Sequence, residues 1–174
     1  IDIRTEAGRA EVLALVRDAD VLVDNYRPGA LQRHGLGYDA VRAVNPRIIY
    51  CAISGYGYSD PARTGRGAYD HVIQALTGMT MLAGTEGGPP VKTGFPVIDA
   101  ATGILGALAI VTALRERDHS GAGSFLDVSM WASALQLMYP FACETLANDR
   151  EIPRVGNKGF SGSPAADTFE CRDG

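Results

Sequence analysis

Two stretches decide the fold of this 174-residue chain: Ala19-Asp20-Val21-Leu22-Val23-Asp24-Asn25-Tyr26-Arg27-Pro28-Gly29 and Pro46-Arg47-Ile48-Ile49-Tyr50-Cys51-Ala52-Ile53-Ser54-Gly55. Val21, Leu22 and Val23 make a short apolar run that Asp24-Asn25 ends, and Arg27-Pro28-Gly29 is turn chemistry. Residues 47–54 are a second run, rich in β-formers, with Pro46 before it and Gly55 after it. Between them 30–34 reads as a helical turn, and 38–44 as a short helix stopped by Asn45-Pro46. Strand, helix and strand at this spacing form a βαβ unit. The fold class is therefore α/β, with an open parallel sheet.

Upstream, Ala10, Val12, Leu13, Leu15 and Val16 alternate with charges and predict an amphipathic helix over 6–19. Downstream, 55–67 is a loop rich in Gly, Tyr and Ser that carries Arg63 and Arg66. Helical spacing returns over 69–82, and 83–96 is a second loop. Residues 98–117 make the strongest helix, almost wholly apolar until Arg115-Glu116-Arg117. Such a helix is expected to be buried on most sides, with its charged last turn in solvent. Gly121-Ala122-Gly123 turns the chain into a strand over 124–128, followed by a helix over 129–148. After Asp149 only 168–171 has a strand pattern.

Composition narrows the function. A net charge of −4 argues against nucleic acid and anionic membranes as partners. The longest apolar run, 98–114, is broken by Asp99, two threonines and two glycines, so no membrane span is expected. Cys51, Cys143 and Cys171 lie far apart, with no CxxC or Cys/His spacing. That pattern fits reduced thiols in a cytoplasmic protein and implies no metal site. The 21 glycines are about 12% of the chain against an average near 7%. They follow no three-residue period, so they imply tight turns or backbone brought close to a ligand. The chain runs from Ile1 to Asp173-Gly174 without a closing element, and is expected to be a segment of a longer protein.

Three places could carry chemistry. Asp99 stands just inside the start of the apolar helix. It is either a first-turn cap or, held ionised by the helix end, a nucleophile or base. Ala100, Ala101, Thr102 and Gly103 after it leave room for a substrate. The second place is the loop after the first strand, where open α/β sheets put their ligands. There Asn25 offers an amide, Tyr26 a flat ring, and Arg27 a fork for phosphate or carboxylate, with Arg33 following. Neither GxGxxG nor GxxxxGK[ST] is present. The third is Tyr69-Asp70-His71, where adjacent side chains on a helix face different ways, so Asp70 and His71 form no dyad. The 84–94 loop is either a lid or an ordinary connection, and Trp131 reads as core.

Together these segments resemble the class III coenzyme A transferases, the formyl-CoA and carnitine CoA-transferase family related to alpha-methylacyl-CoA racemase. Residues 19–29 are similar to the family's ADVxxxNxRPG segment. Asn45-Pro46-Arg47 with Ser54-Gly55-Tyr56-Gly57 resembles its NPRxxYxxxSGFG segment. Tyr69-Asp70 leading to Gln74-Ala75-Leu76-Thr77-Gly78, then Asp99 with Gly103, resemble the next blocks. Arg117, Gly121, Gly123 and Asp127 resemble its R-x-x-x-G-x-G-x-x-x-D signature.

The resemblance implies that Asp99 is the catalytic aspartate, passing CoA from an acyl-CoA donor to a carboxylic acid through an aspartyl-CoA thioester. It implies CoA contacts at Asn25, Tyr26, Arg27, Arg33, Gly67, Ala68, Tyr69 and Asp70. The family often has a lysine where this chain has Gly67, a contact that Arg66 would have to supply. The matched glycines would mark turns and close approach around CoA. No permanently bound cofactor is implied, since CoA is substrate. The related racemases carry a histidine base where this chain has Tyr69, a poor base near neutral pH, which favours transferase over racemase. The family fold implies an interlocked homodimer. Residues 1–120 would be a Rossmann-like CoA-binding portion, and 121–174 a strand-helix and the start of a linker to a second, smaller domain. The segment alone is expected to be inactive.

Overall fold

The structure, a computed structural model, describes residues 1–59, 61–159 and 161–173. Its centre is a parallel sheet of β1 (Val21–Asp24), β2 (Ile49–Ser54) and β3 (Ser124–Ser129), in that spatial order. Val21 pairs with Ile49, and Ile49 with Ser124, so all three strands start level and end on one edge. Helix α1 (Glu6–Val16) precedes β1, and α2 (Ala30–Arg33) and α3 (Tyr38–Val44) connect β1 to β2. The crossover to β3 holds α4 (Pro61–Thr64), α5 (Asp70–Leu76), a 3-10 turn at Met79–Met81 and α6 (Val97–Ser120). Helices α7 (Met130–Leu137) and α8 (Tyr139–Asn148) follow.

The middle strand β2 is sealed by helices on both faces. On one face Val16 and Val41 pack with Tyr50 and Ala52. On the other α6 lies against the sheet, and a methyl group added at Gly106 would stand 3.5 Å from Ile53. A second cluster, Ile73, Ile98, Met130 and Ala134, ties α5, α6 and α7 together. This cluster brings the start of α5 to the start of α6.

Several elements differ from their sequence pattern, each for a local reason. Helix α1 stops at Val16, where the Asn45 side-chain amide donates to the carbonyls of Val16 and Ala19. The 69–82 helix breaks after Leu76 because Gly78 adopts φ 80°, and the chain continues as a 3-10 turn. The 129–148 helix splits at Met138, two residues before Pro140, which has no N–H to continue the ladder. The 55–67 loop contains the short α4, and 168–171 form no strand.

Helix α6 is not buried on most sides. Ile98, Thr102, Gly106 and Arg117 face inward, but Ile104, Leu108 and Val111 are 70%, 62% and 65% exposed. A three-stranded sheet covers one face of a 24-residue helix and has nothing to lay on the other. By length and composition alone α6 could cross a bilayer.

Its charged end is also not wholly in solvent. Arg117 is buried, pairs with Asp20 at 2.7 Å, and donates to the carbonyl of Arg47. Gly121 then ends α6 at φ 74°, and a methyl group at Gly123 would strike the Ile48 carbonyl oxygen. Both glycines stand at the amino edge of the sheet. They serve backbone packing there, not the approach of a ligand to the carboxyl edge.

Candidate active site

Helix α6 begins after Pro96, which offers no side-chain cap. The N–H groups of Ile98 and Asp99 donate instead to one oxygen of Asp70, at 2.7 and 3.0 Å. Asp70 is the first residue of α5 and only 8% exposed. The cap therefore comes from another helix, and the Asp99 carboxylate is spared that role and stays exposed. Partial loss of water, and then the charge of Asp70, push the Asp99 carboxyl above its ordinary value. This is opposite to the ionising effect expected of a helix end alone. A methyl group added at Gly103, one turn on, meets nothing within 4 Å. The space beside Asp99 that the small residues implied is therefore open.

The other oxygen of Asp70 accepts from the Gln74 side chain. Gln74 also donates to the Thr93 hydroxyl at 2.8 Å and accepts from the Thr93 N–H at 2.9 Å. Sequence reasoning gave neither Gln74 nor Thr93 a role. The available signal was the four-residue spacing of Asp70 and Gln74, which stacks the two on one helix face.

At the carboxyl edge of β1, buried Asp24 accepts from the Tyr26 N–H at 2.8 Å and the Tyr50 hydroxyl at 2.9 Å. Burial, with the Asp24 charge, pushes the Tyr50 phenol upward. Tied down by Asp24, the turn presents Asn25, Tyr26 and Arg27 to solvent. Gly29 turns with φ 84°, and a methyl group there would lie 3.3 Å from the Arg33 guanidinium. The Arg27 guanidinium lies on Gly67, where an added methyl group would stand 2.7 Å from one of its nitrogens. Any side chain at 67 would evict it. Ala68 closes on Gly55.

Residues 67–70 thus form a bridge. One end touches Arg27, and the other caps the helix of Asp99. Tyr69, on that bridge, is exposed and stacks on His71 with ring centroids 6.0 Å apart and planes 9° apart. The imidazole stands beside Tyr69 because Tyr69 precedes the helix and is extended.

Asp127 accepts from the Tyr58 N–H at 2.8 Å and holds the turn after β2. A cavity of about 990 Å³ opens between α7, α8 and the 81–88 segment, lined by Met81, Leu135, Met138 and Phe141. None of the expected site residues lines it. Among the described residues no three His, Cys, Asp or Glu side chains come together as metal ligands.

This arrangement can be compared with known proteins. A sequence profile of CoA-transferase family III matches residues 1–174. The chain belongs to that family. It is 39% identical to an acyl-CoA transferase of Fusarium pseudograminearum over 99% of the chain and 38% of that protein. It is 34% identical to a succinyl-CoA:glutarate CoA-transferase of Mus musculus over 100% of the chain and 39% of that protein. The crystal structure of a CAIB/BAIF family protein from Brucella suis superposes with a TM-score of 0.89 at 34% identity. That match covers 99% of the chain and 45% of the Brucella protein. The chain spans less than half the length of each of these three relatives.

Proposed function

We propose that the complete protein moves CoA from an acyl-CoA donor to a carboxylic acid, with Asp99 as nucleophile. The observation that carries this reading is the cap. Asp70 satisfies the helix N–H groups and leaves the exposed Asp99 carboxylate unspent, beside open space at Gly103. In the proposed sequence an Asp99 oxygen attacks the thioester carbonyl, CoA thiolate leaves, and an aspartyl anhydride forms. The thiolate attacks the Asp99 carbonyl, expels the donor's carboxylate, and gives the aspartyl-CoA thioester. The acceptor carboxylate then displaces CoA to form a second anhydride. Thiolate attack on its acyl carbonyl releases the new acyl-CoA and restores Asp99. The thioester's energy is conserved throughout.

Arg27 and Arg33 are proposed to hold phosphate oxygens of CoA, with Asn25 and Tyr26 beside them. Gly67, Ala68 and Tyr69 would line the thioester end. The Arg27 guanidinium covers Gly67, which joins this stretch to the CoA-binding loop. The Asp70 carboxylate is spent on the cap, which leaves it to act on the substrate only through Asp99. CoA is substrate, and no resident cofactor is proposed. We place the protein in the cytoplasm, without nucleic acid or membrane partners, as an interlocked homodimer. Residues 1–120 would form the CoA-binding portion, and 121–174 lead to a second domain. The segment alone would be inactive.

The test is trapping. With an acyl-CoA donor and hydroxylamine, the complete protein should carry a hydroxamate at Asp99, read by mass spectrometry. Asp99→Ala should lose at least about a thousandfold in turnover. Full transfer activity in that variant would sink the reading.

One observation favours an isomerase instead. The His71 ring stacked on Tyr69 puts an imidazole next to the position where the racemases carry their base. Exchange of the α-proton of an acyl-CoA in deuterated water, without an acceptor acid, would support that alternative.

A further inference from the structure

We infer that Gln74 is a positioning residue for Asp99, acting through Asp70 and through the turn that leads into α6. The inference rests on the transferase reading of Asp99. Gln74 is 1% exposed, so every polar atom of its amide needs a partner inside the protein. Its orientation is set by those partners. The Thr93 N–H can only donate, so it must meet the Gln74 oxygen. The Thr93 hydroxyl donates to the Phe95 carbonyl at 2.7 Å, so it is free to accept from the Gln74 nitrogen. The remaining N–H of Gln74 is thereby aimed at Asp70.

This one amide thus fixes two things at once. It holds the Asp70 carboxylate in the plane where its other oxygen reaches the N–H groups of Ile98 and Asp99. It also clamps Thr93 to α5, and so sets the direction from which Phe95-Pro96 enter the helix. Both routes end on the backbone of Asp99. A buried leucine at position 74 would fill the same core volume but supply neither contact. Losing the donor would free Asp70 to rotate about its side-chain bonds, and the first turn of α6 would shift with it. A misplacement of about 1 Å at a reacting group costs on the order of a hundredfold in rate.

The experiment uses the complete protein and four variants: Gln74→Met, Gln74→Glu, Asp70→Asn and the Asp70→Asn/Gln74→Met double. Gln74→Met removes every polar contact at similar volume. Gln74→Glu keeps an acceptor for the Thr93 N–H but withdraws the donor from Asp70. Both are expected to lower kcat by about tenfold to a hundredfold while KM for the acyl-CoA stays within about twofold. The double variant should lose less than the two single losses combined, because the substitutions share the Asp70 route, while the Thr93 route makes it slower than Asp70→Asn. If Gln74→Met does not fold, Gln74→Glu, matched to wild type by circular dichroism, carries the test. A kcat within about twofold of wild type in the folded Gln74 variants, or additive losses in the double variant, would overturn the inference. Asp99→Ala is assayed beside them. If it is inactive while the Gln74 variants are normal, only the positioning role falls. If it is active, the transferase reading falls and takes this inference with it.

Discussion

Asp70 and Asp99 open successive helices, and their surroundings divide the work between them. Asp70 is buried and accepts from three N–H donors, which fixes its carboxylate in place. Asp99 faces solvent and titrates above an ordinary carboxyl, first through lost hydration and then through the Asp70 charge. A nucleophile must be ionised, so the acid limb of kcat/KM should lie above the pH of an unperturbed aspartate, about 3.9. Asp70→Asn removes the like charge and should move that limb to lower pH, though only part of the way because the hydration loss remains. A limb that stays in place would mean that Asp99 is not the titrating group.

Stability must follow the same sign. The folded state binds this proton more tightly than the unfolded chain does, so ionising Asp99 costs stability. The cost is absent below the unfolded value and complete above the raised folded one. Asp99→Asn should therefore melt at or above the wild-type temperature at pH 7, and level with it in acid. A clearly lower melting temperature at pH 7 would contradict the raised titration.

At the scale of elements, two glycines with the same family match have opposite duties. Gly123 passes the Ile48 carbonyl so closely that any side chain must push β3 away from β2. Gly103 sits inside α6 with empty space where a side chain would go. Gly123→Ala should lower stability by about 1–3 kcal/mol, the usual range for overpacking. Gly103→Ala should raise helix stability by about 0.5–1 kcal/mol, since alanine is the better helix former. Its turnover should nevertheless fall, because the methyl group enters the space beside Asp99. Denaturant melts and steady-state kinetics on both variants separate the two roles. A fully active Gly103→Ala would show that no substrate uses that space.

This contrast also marks what the sequence could tell. The strand runs 21–23 and 47–54 and the helix at 38–44 were legible because their apolar pattern and their Asn-Pro and Gly ends are local. The position of Asp99 at a helix start was legible for the same reason. That Asp70 caps that helix was not, because the bond joins residues whose separation follows only from the packing of α5 on α6 through Ile73 and Ile98. The duties of Gly103 and Gly123 were hidden likewise, since each is set by what lies across from it in space.

For the molecule as a whole, α6 poses the open question of what covers it. Ile104, Leu108 and Val111 fall three and four residues apart and form one exposed apolar stripe. The apolar pattern predicted burial on most sides, but a pattern along one helix does not show what lies across from it, and among the described residues this stripe stays exposed. The interlocked homodimer proposed above would supply a covering surface. Burying one leucine there would contribute about 1.5–3 kcal/mol, and an unpaired charge in its place would cost several more. Leu108→Glu therefore has opposite expected effects in two contexts. In the isolated chain it replaces a solvent-facing side chain, so the melting temperature should change little and self-association should decrease. In the complete protein it should break or weaken the dimer, read as a fall in mass by light scattering, and lower the melting temperature by several degrees. If the complete protein keeps its mass and its melting temperature, this face of α6 is open to water there too, and the interlocked arrangement cannot be what covers it.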